Sequence, residues 1–183
     1  MRNVTGSDRR AADLQPVLTG ELLELRPLRP DDFDELFAVA HDPLIWEQHP
    51  ARDRGEEGPF RLFFREALES GGALVALDRR NGRIIGSSRY HRETAADDGE
   101  IEIGWTFLAR AYWGGRYNGE MKRLMLQHAF RFFERVVFVI GPQNVRSQRA
   151  VEKIGGRRIG PRFDANGRES LVYQINREAA CAR

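Results

Sequence analysis

The stretch AYWGGRYNGEMKRLMLQHAFRFF, Ala111 to Phe133, decides how the chain is read. It passes two adjacent glycines, an arginine and a third glycine before an amphipathic run begins. Met121, Leu124, Met125, His128, Ala129 and Phe132 recur at helical spacing, so the run is expected as a helix docked on a core. Gly114, Gly115 and Gly119 let a ligand approach the backbone closely at the helix entrance. Free N–H groups and a positive dipole end make such an entrance suitable for an anion such as phosphate. Lys122 and Arg123, read as lying in the first turn, oppose the dipole unless an anion neutralises them, and Arg116 adds to that charge. A tight turn that needs glycine only for its conformation is the competing reading. The spacing lacks the G-x-G-x-x-G of a dinucleotide fold and the G-K-[ST] of a P-loop.

Outward from this stretch, RVVFVI (135–140) reads as a central strand buried on both faces. A helix ending in glycine follows at 144–156, and a last strand or strands ends with SLVYQIN (170–176). On the N-terminal side, the strand EIEIGWTFL (100–108) is entered through a turn at 93–99. Strands 73–78 and 84–92 form a hairpin about Asn81-Gly82. Earlier still come a strand at 21–28 and a helix beginning at Pro30, with Phe33, Leu36, Phe37 and Ala40 on one face. A polar loop at 44–59 of the kind that shapes a cleft precedes a helix at 60–70 closed by Gly71 and Gly72. The order predicts one α+β domain over residues 17–176, with an α/β-type helix–strand–helix unit at its centre. Residues 1–16 are expected as a disordered tail and 177–183 as a C-terminal tail.

The 183 residues, 41% hydrophobic and 31% charged, suit a soluble globular chain with a core of its own. No apolar run reaches the roughly 18 residues of a membrane span, and the N-terminus has no signal-peptide core, so the cytoplasm is expected. The lone Cys181 excludes an internal disulfide and a cysteine zinc site; His41, His49, His91 and His128 lack metal spacing, so no metal is expected. His128 reads as a core residue, while His49 and His91 face the expected cleft; Trp46 lines that cleft or belongs to the core.

The net charge is only +2, but four bases to one acid fall between Arg110 and Arg123, and six to one between Asn144 and Arg162. A small polyanion or nucleic acid would explain this, as would a solvated helix face. Interleaved aromatics and known DNA-binding motifs are lacking, so no nucleic-acid partner is expected, and no membrane partner either.

YWGGRYNGEM (112–121) followed by GPQNVRSQRAVEKIGG (141–156) resembles the GNAT acetyltransferase superfamily, most closely the branch containing the ribosomal-protein N-terminal acetyltransferases. Asn144, Ser147, Lys153 and Gly155 occupy the positions of that branch's last-helix pattern, and the likeness runs from about residue 18 to 175. The resemblance implies a three-layer, α/β-type fold: a mixed, mostly antiparallel sheet flanked by helices and splayed between its expected fourth and fifth strands. It implies acetyl-CoA as co-substrate. Its pyrophosphate would lie over Trp113, Gly114, Gly115, Arg116, Tyr117, Asn118 and Gly119. Its arm would pair with backbone near Trp105, Thr106, Phe107 and Leu108. Asn144 would contact the arm, and Arg149 and Lys153 would reach the arm or the adenosine phosphate.

Strand alternation puts Glu100 and Glu102 on one face and Ile101 and Ile103 on the other. Glu102 matches the family's usual base, and Ser147 is placed to protonate the leaving thiolate. Two departures stand out. Arg116 replaces a small residue, and so either clamps phosphate or obstructs it. Val151 stands where many relatives carry a tyrosine acid. The implied activity is acetyl transfer to a primary amine, on a small molecule or a protein N-terminus, by direct attack in a ternary complex. The acidic remainder of the chain favours a cationic acceptor. A degenerate acetyl-CoA sensor is the alternative, and homodimer formation is left open.

Overall fold

The computed structural model describes residues 12–92 and 99–178. Most of the expected turn at 93–99, the ends of both expected tails, and Cys181 lie outside the described residues. Eight strands form one sheet: β1 (Leu18–Thr19), β2 (Leu23–Pro27), β3 (Ala73–Asp78), β4 (Ile84–His91), β5 (Glu100–Leu108), β6 (Arg135–Ile140), β7 (Arg157–Phe163) and β8 (Glu169–Asn176). Their order is β1-β2-β3-β4-β5-β6-β8-β7. Every neighbouring pair is antiparallel except β5 and β6, which run parallel because a helix crosses over between them. The helices are α1 (Phe33–Ala40), α2 (Glu57–Glu69), α3 (Arg116–Ala129) and α4 (Val145–Lys153).

Alternation along the strands divides the core in two. Leu23, Leu25, Leu74, Ala76, Ile85, Tyr90, Ile101 and Ile103 face α3, meeting its Met121, Met125 and Ala129. Leu28, Val75, Ile84 and Phe107 face the other way, against Leu36 of α1 and Phe60, Phe63 and Phe64 of α2. The apolar run of β6 is buried on both faces as its composition predicts, with Val136, Val137 and Phe138 at most 3% exposed.

Glu120 ties α3 to the start of the sheet. Its buried carboxylate accepts the backbone N–H groups of Glu21, Leu22 and Leu23 at 2.8, 2.8 and 3.0 Å. Burial alone would raise its pKa, but these bonds outweigh burial and hold it below the usual range. A side chain at Gly20 would collide with it, a Cβ there lying 2.5 Å from the carboxylate carbon.

Three boundaries differ from expectation. Helix α3 begins at Arg116, because Gly119 is absorbed into the helix instead of ending the loop. Helix α2 begins at Glu57, taking in Gly58 and Pro59. Strand β7 is an exposed edge strand rich in arginine, with Gly160 and Pro161, and carries no apolar alternation to mark it.

Candidate active site

Strands β5 and β6 pair at Glu100–Arg135, Ile101–Val136 and Glu102–Val137, and there they part. Beyond Glu102, β5 continues to Leu108 with β4 as its only strand partner among the described residues. Along this free length Ser87 stands opposite Phe107 but Arg89 opposite Gly104, so β5 carries an extra residue and bulges. The bulge sets Trp105 at φ 51, the one non-glycine with positive φ among the described residues. A left-handed tryptophan costs about 1–3 kcal/mol, a cost the surrounding fold must hold in place.

The chain leaving β5 is pinned by three side chains. The Arg110 guanidinium pairs with Asp42. The Tyr112 hydroxyl donates to Asp78 at 3.0 Å, and the Trp113 indole N–H donates to the Leu108 carbonyl at 2.8 Å. The glycines come next, so a fixed loop delivers them. Gly114 is left-handed at φ 69, and Gly115 caps α3 with no side-chain hydrogen bond to its first N–H groups. A Cβ built at Gly114, Gly115 or Gly119 would meet nothing within 4 Å, so open space lies over this entrance. Tyr112 and Tyr117 meet edge to face at 4.8 Å beside it, and Asn118 is half-buried.

The positive charge of this segment is distributed differently from the expectation. Lys122 lies nearly two turns into α3 and is buried against the sheet. Its ammonium nitrogen reaches Thr106 Oγ1 and, at 3.3 Å, Ser88 Oγ, with the Phe138 ring 5.5 Å away. Burial lowers its pKa to about 7. Lys122 is therefore no phosphate ligand. Arg123 turns to Glu120 at 3.6 Å. Arg116 alone of this group is exposed with no partner among the described residues.

Helix α4 starts at the same end of the gap. Asn144 caps it, Oδ1 accepting the Ser147 N–H at 3.1 Å. This bond fixes the amide's orientation and leaves its NH2 without a hydrogen bond among the described residues. Ser147 is half-buried, and Arg149 and Lys153 are exposed. Arg146 joins the two helix entrances: its guanidinium lies 3.9 Å over the Trp113 ring and donates to the Ile45 carbonyl at 2.8 Å.

Glu102 is the last paired residue at the fork, half-buried, with Oε1 only 3.0 Å from where a Cβ on Gly104 would sit. Glu100 is occupied by Arg135 at 3.9 Å and Arg162 at 3.7 Å. On the face of Glu102, the Arg89 guanidinium stacks on Trp105 at 4.7 Å and lies 5.7 Å from Phe63, while Arg54 lies 4.8 Å over the same Phe63 ring. His91 touches Trp105 edge to face at 5.3 Å. His49 accepts the Ala51 N–H on Nδ1 at 2.9 Å; burial first, and Arg54 second, push its pKa down to about 4. It is neutral at physiological pH. Trp46 is a core residue, 2% exposed, donating to the Ala40 carbonyl. His128 is buried with Nε2 2.7 Å from the Asp13 carbonyl. Two surface cavities of about 540 and 650 Å³ lie against α2 and beside α1; Asp42 and Arg110 line the second, and neither is lined by Glu102, Arg89, Asn144 or the glycines of the α3 entrance.

Sequence reasoning passed over Arg89, the burial of Lys122 and the Trp105 bulge. Only Gly104, a glycine inside a strand pattern, signalled the bulge. Among the described residues no cluster of His, Cys, Asp or Glu is arranged to hold a metal, and no helix is long and apolar enough to cross a membrane.

Comparison with known proteins gives a consistent result. Residues 23–157 match the family model of the acetyltransferase (GNAT) domain. The chain is 35% identical over 83 residues to the uncharacterized Bacillus subtilis protein YkkB, covering 44% of this chain and 48% of that one. The match thus spans about half of that relative. A GCN5-related N-acetyltransferase from Brucella melitensis superposes with TM-score 0.77 at 21% identity, covering 92% of this chain and 81% of that one. Mycobacterium smegmatis RimJ in complex with CoA-disulfide superposes with TM-score 0.66 at 20% identity, covering 88% and 85%. These two structures speak to the fold; the family match speaks to descent and extends over most of the sequence. The chain belongs to the GNAT acetyltransferase family.

Proposed function

We propose that the protein transfers an acetyl group from acetyl-CoA to a primary amine by direct attack in a ternary complex. Family membership implies acetyl-CoA-dependent acetyl transfer. The observation that carries the finer reading is the fork at Glu102. There two parallel strands separate, and the uncapped start of α3 and the cap amide of Asn144 follow the ends of those same two strands.

The residues present fit the co-substrate. The open entrance over Gly114, Gly115 and Gly119, together with Trp113, Tyr117, Asn118 and exposed Arg116, would hold its pyrophosphate. Backbone groups of Trp105, Thr106, Phe107 and Leu108, which have no β6 partner, would pair with its arm as an added strand does. The Asn144 NH2 would donate to the arm, and Arg149 and Lys153 would supply charge for its phosphates. Bound there, acetyl-CoA supplies an acetyl group activated as a thioester. Glu102, directly or through water, takes the proton the amine must lose. Ser147, at the start of α4, gives a proton to the departing thiolate.

The sensor reading keeps one support, since buried Val151 supplies no acid. Arg116 is exposed beside the loop, where it clamps phosphate in the transferase reading and obstructs it in the sensor reading.

The test measures thiol release from acetyl-CoA with a panel of small amines and peptide N-termini. Glu102→Gln should lower kcat/KM by about 10²-fold or more, with acetyl-CoA still raising Tm. A Tm unmoved by saturating acetyl-CoA would sink this reading. A raised Tm without thiol release from any amine would leave the sensor.

A further inference from the structure

We propose that the acceptor is a small amino-carboxylate, and that Arg89 recognises its carboxylate while Glu102 takes its amine. The inference rests on the acetyltransferase reading above and deepens it. Arg89 is 5% exposed on β4, directly opposite Gly104, which is two residues along β5 from Glu102. Its Nε and Nη2 are closed to water and have no hydrogen-bond partner among the described residues. These two nitrogens share one edge of the guanidinium, the edge whose parallel N–H bonds match the two oxygens of a carboxylate. A buried cation with such an edge unpaired is costly, and folded proteins rarely leave one so.

Among the described residues no anion bonds to that edge. Arg54, over the same Phe63 ring, is a second cation without a hydrogen-bonded carboxylate among the described residues. Glu66 and Glu102 act on Arg89 through space without a bond to it. His49 is neutral, and His91 touches the far partner Trp105. Diagonal neighbours on adjacent antiparallel strands stand about 7–8 Å apart, so one small molecule bearing an amine and a carboxylate can span Glu102 and Arg89. Its ammonium end is drawn to Glu102 before losing a proton there, and its carboxylate end to Arg89. Trp105, half-buried on strained backbone and stacked on Arg89, is the ring that moves to admit the carboxylate. The chemistry is shared by a free amino acid and by an acidic side chain at a peptide N-terminus; we commit to the free amino acid.

The test runs thiol release on the full chain with the common L-amino acids, each paired with its C-terminal amide, and with peptides beginning in Asp or Glu paired with their Asn or Gln counterparts. The wild type should favour at least one free amino acid over its amide by about 100-fold in kcat/KM. Arg89→Gln should bring that ratio to within about three-fold, and Arg89→Lys, a point charge without the fork, should keep part of it. Acetyl-CoA should still raise Tm in both variants. Equal use of acids and amides by the wild type, which needs no variant, overturns the proposal. So does an acid preference that survives Arg89→Gln, or a preference confined to acidic peptides. Turnover of no carboxylate-bearing amine, with the acetyl-CoA shift intact, overturns it too. Loss of that shift in the wild type instead strikes the acetyltransferase reading itself.

Discussion

The two faces of strands β4 and β5 each bury one cation, and they resolve the cost in opposite ways. On the α3 face Lys122 meets only the hydroxyls of Ser88 and Thr106, which also bond each other at 2.8 Å. Among the described residues no carboxylate pairs with it; burial alone acts on it, and its pKa falls to about 7. It sheds its charge by losing a proton as pH rises through about 7. On the α2 face Arg89 has no such escape. Burial draws its pKa down to about 10, so it keeps its charge at neutral pH and stacks on aromatic rings. The lysine is complete within the fold, whereas the arginine is left with donors unmet.

The largest expected effect lies on the lysine side. The unfolded lysine titrates near 10.5 and the folded one near 7, so between these values the unfolded chain binds more protons. Stability should rise with pH across that window and be lost as pH falls through about 7, by up to roughly 4 kcal/mol. The window avoids His49, whose depressed pKa costs stability only as pH falls from 6.5 through about 4. Lys122→Met leaves Ser88 and Thr106 bonded to each other and removes the buried amine. It should stabilise the protein at pH 7 by about 1–4 kcal/mol and flatten the slope. Urea melts of both proteins at pH 7 and pH 10 check this; an unchanged slope would mean that Lys122 has no part in it.

Arg89→Met probes the other face and should do less. It removes an unpaired buried charge but also the stacking on Trp105 and Phe63, for a net change within about 1 kcal/mol. Since arginine stays charged, the difference from wild type should be flat from pH 6 to pH 9. A destabilisation beyond about 2 kcal/mol in the same melts would make Arg89 a structural prop, and the comparison would lose its meaning.

Much of this architecture could be read from residue patterns. The period of Met121, Met125 and Ala129, the apolar run of β6 and the Asn81-Gly82 turn each carry a local signal, and each element formed where that signal lay. The open entrance to α3 was legible as glycines ahead of an amphipathic helix. What failed was register. Gly119 reads as loop, yet packing holds it inside α3, and that shift moves Lys122 from the helix entrance to the sheet. Arg89 was unreadable for a different reason. In SSRYHR it looks like one polar residue among several, and only the neighbouring strands, α2 and the Trp105 bulge make it buried and unpaired. Tertiary context sets the cost of a buried charge, and no local pattern carries it.

Arg116 offers the smallest effect, and it contrasts with both buried cations because water already satisfies it. Of the bases between Arg110 and Arg123, Arg110 pairs with Asp42, Arg123 with Glu120, and Lys122 is buried. Arg116 alone has no partner among the described residues; it is the first residue of α3, beside glycines that leave open space. A cation there works against the dipole unless an anion arrives. If it clamps phosphate, Arg116→Gly should weaken acetyl-CoA binding by about two- to five-fold at low salt, the scale of an exposed charge contact. The loss should shrink at high salt, where the contact is already screened. Calorimetric titration of both proteins at two ionic strengths reads this directly. Tighter binding by the variant at both would make Arg116 an obstruction, and the entrance would then owe its affinity to backbone N–H groups alone.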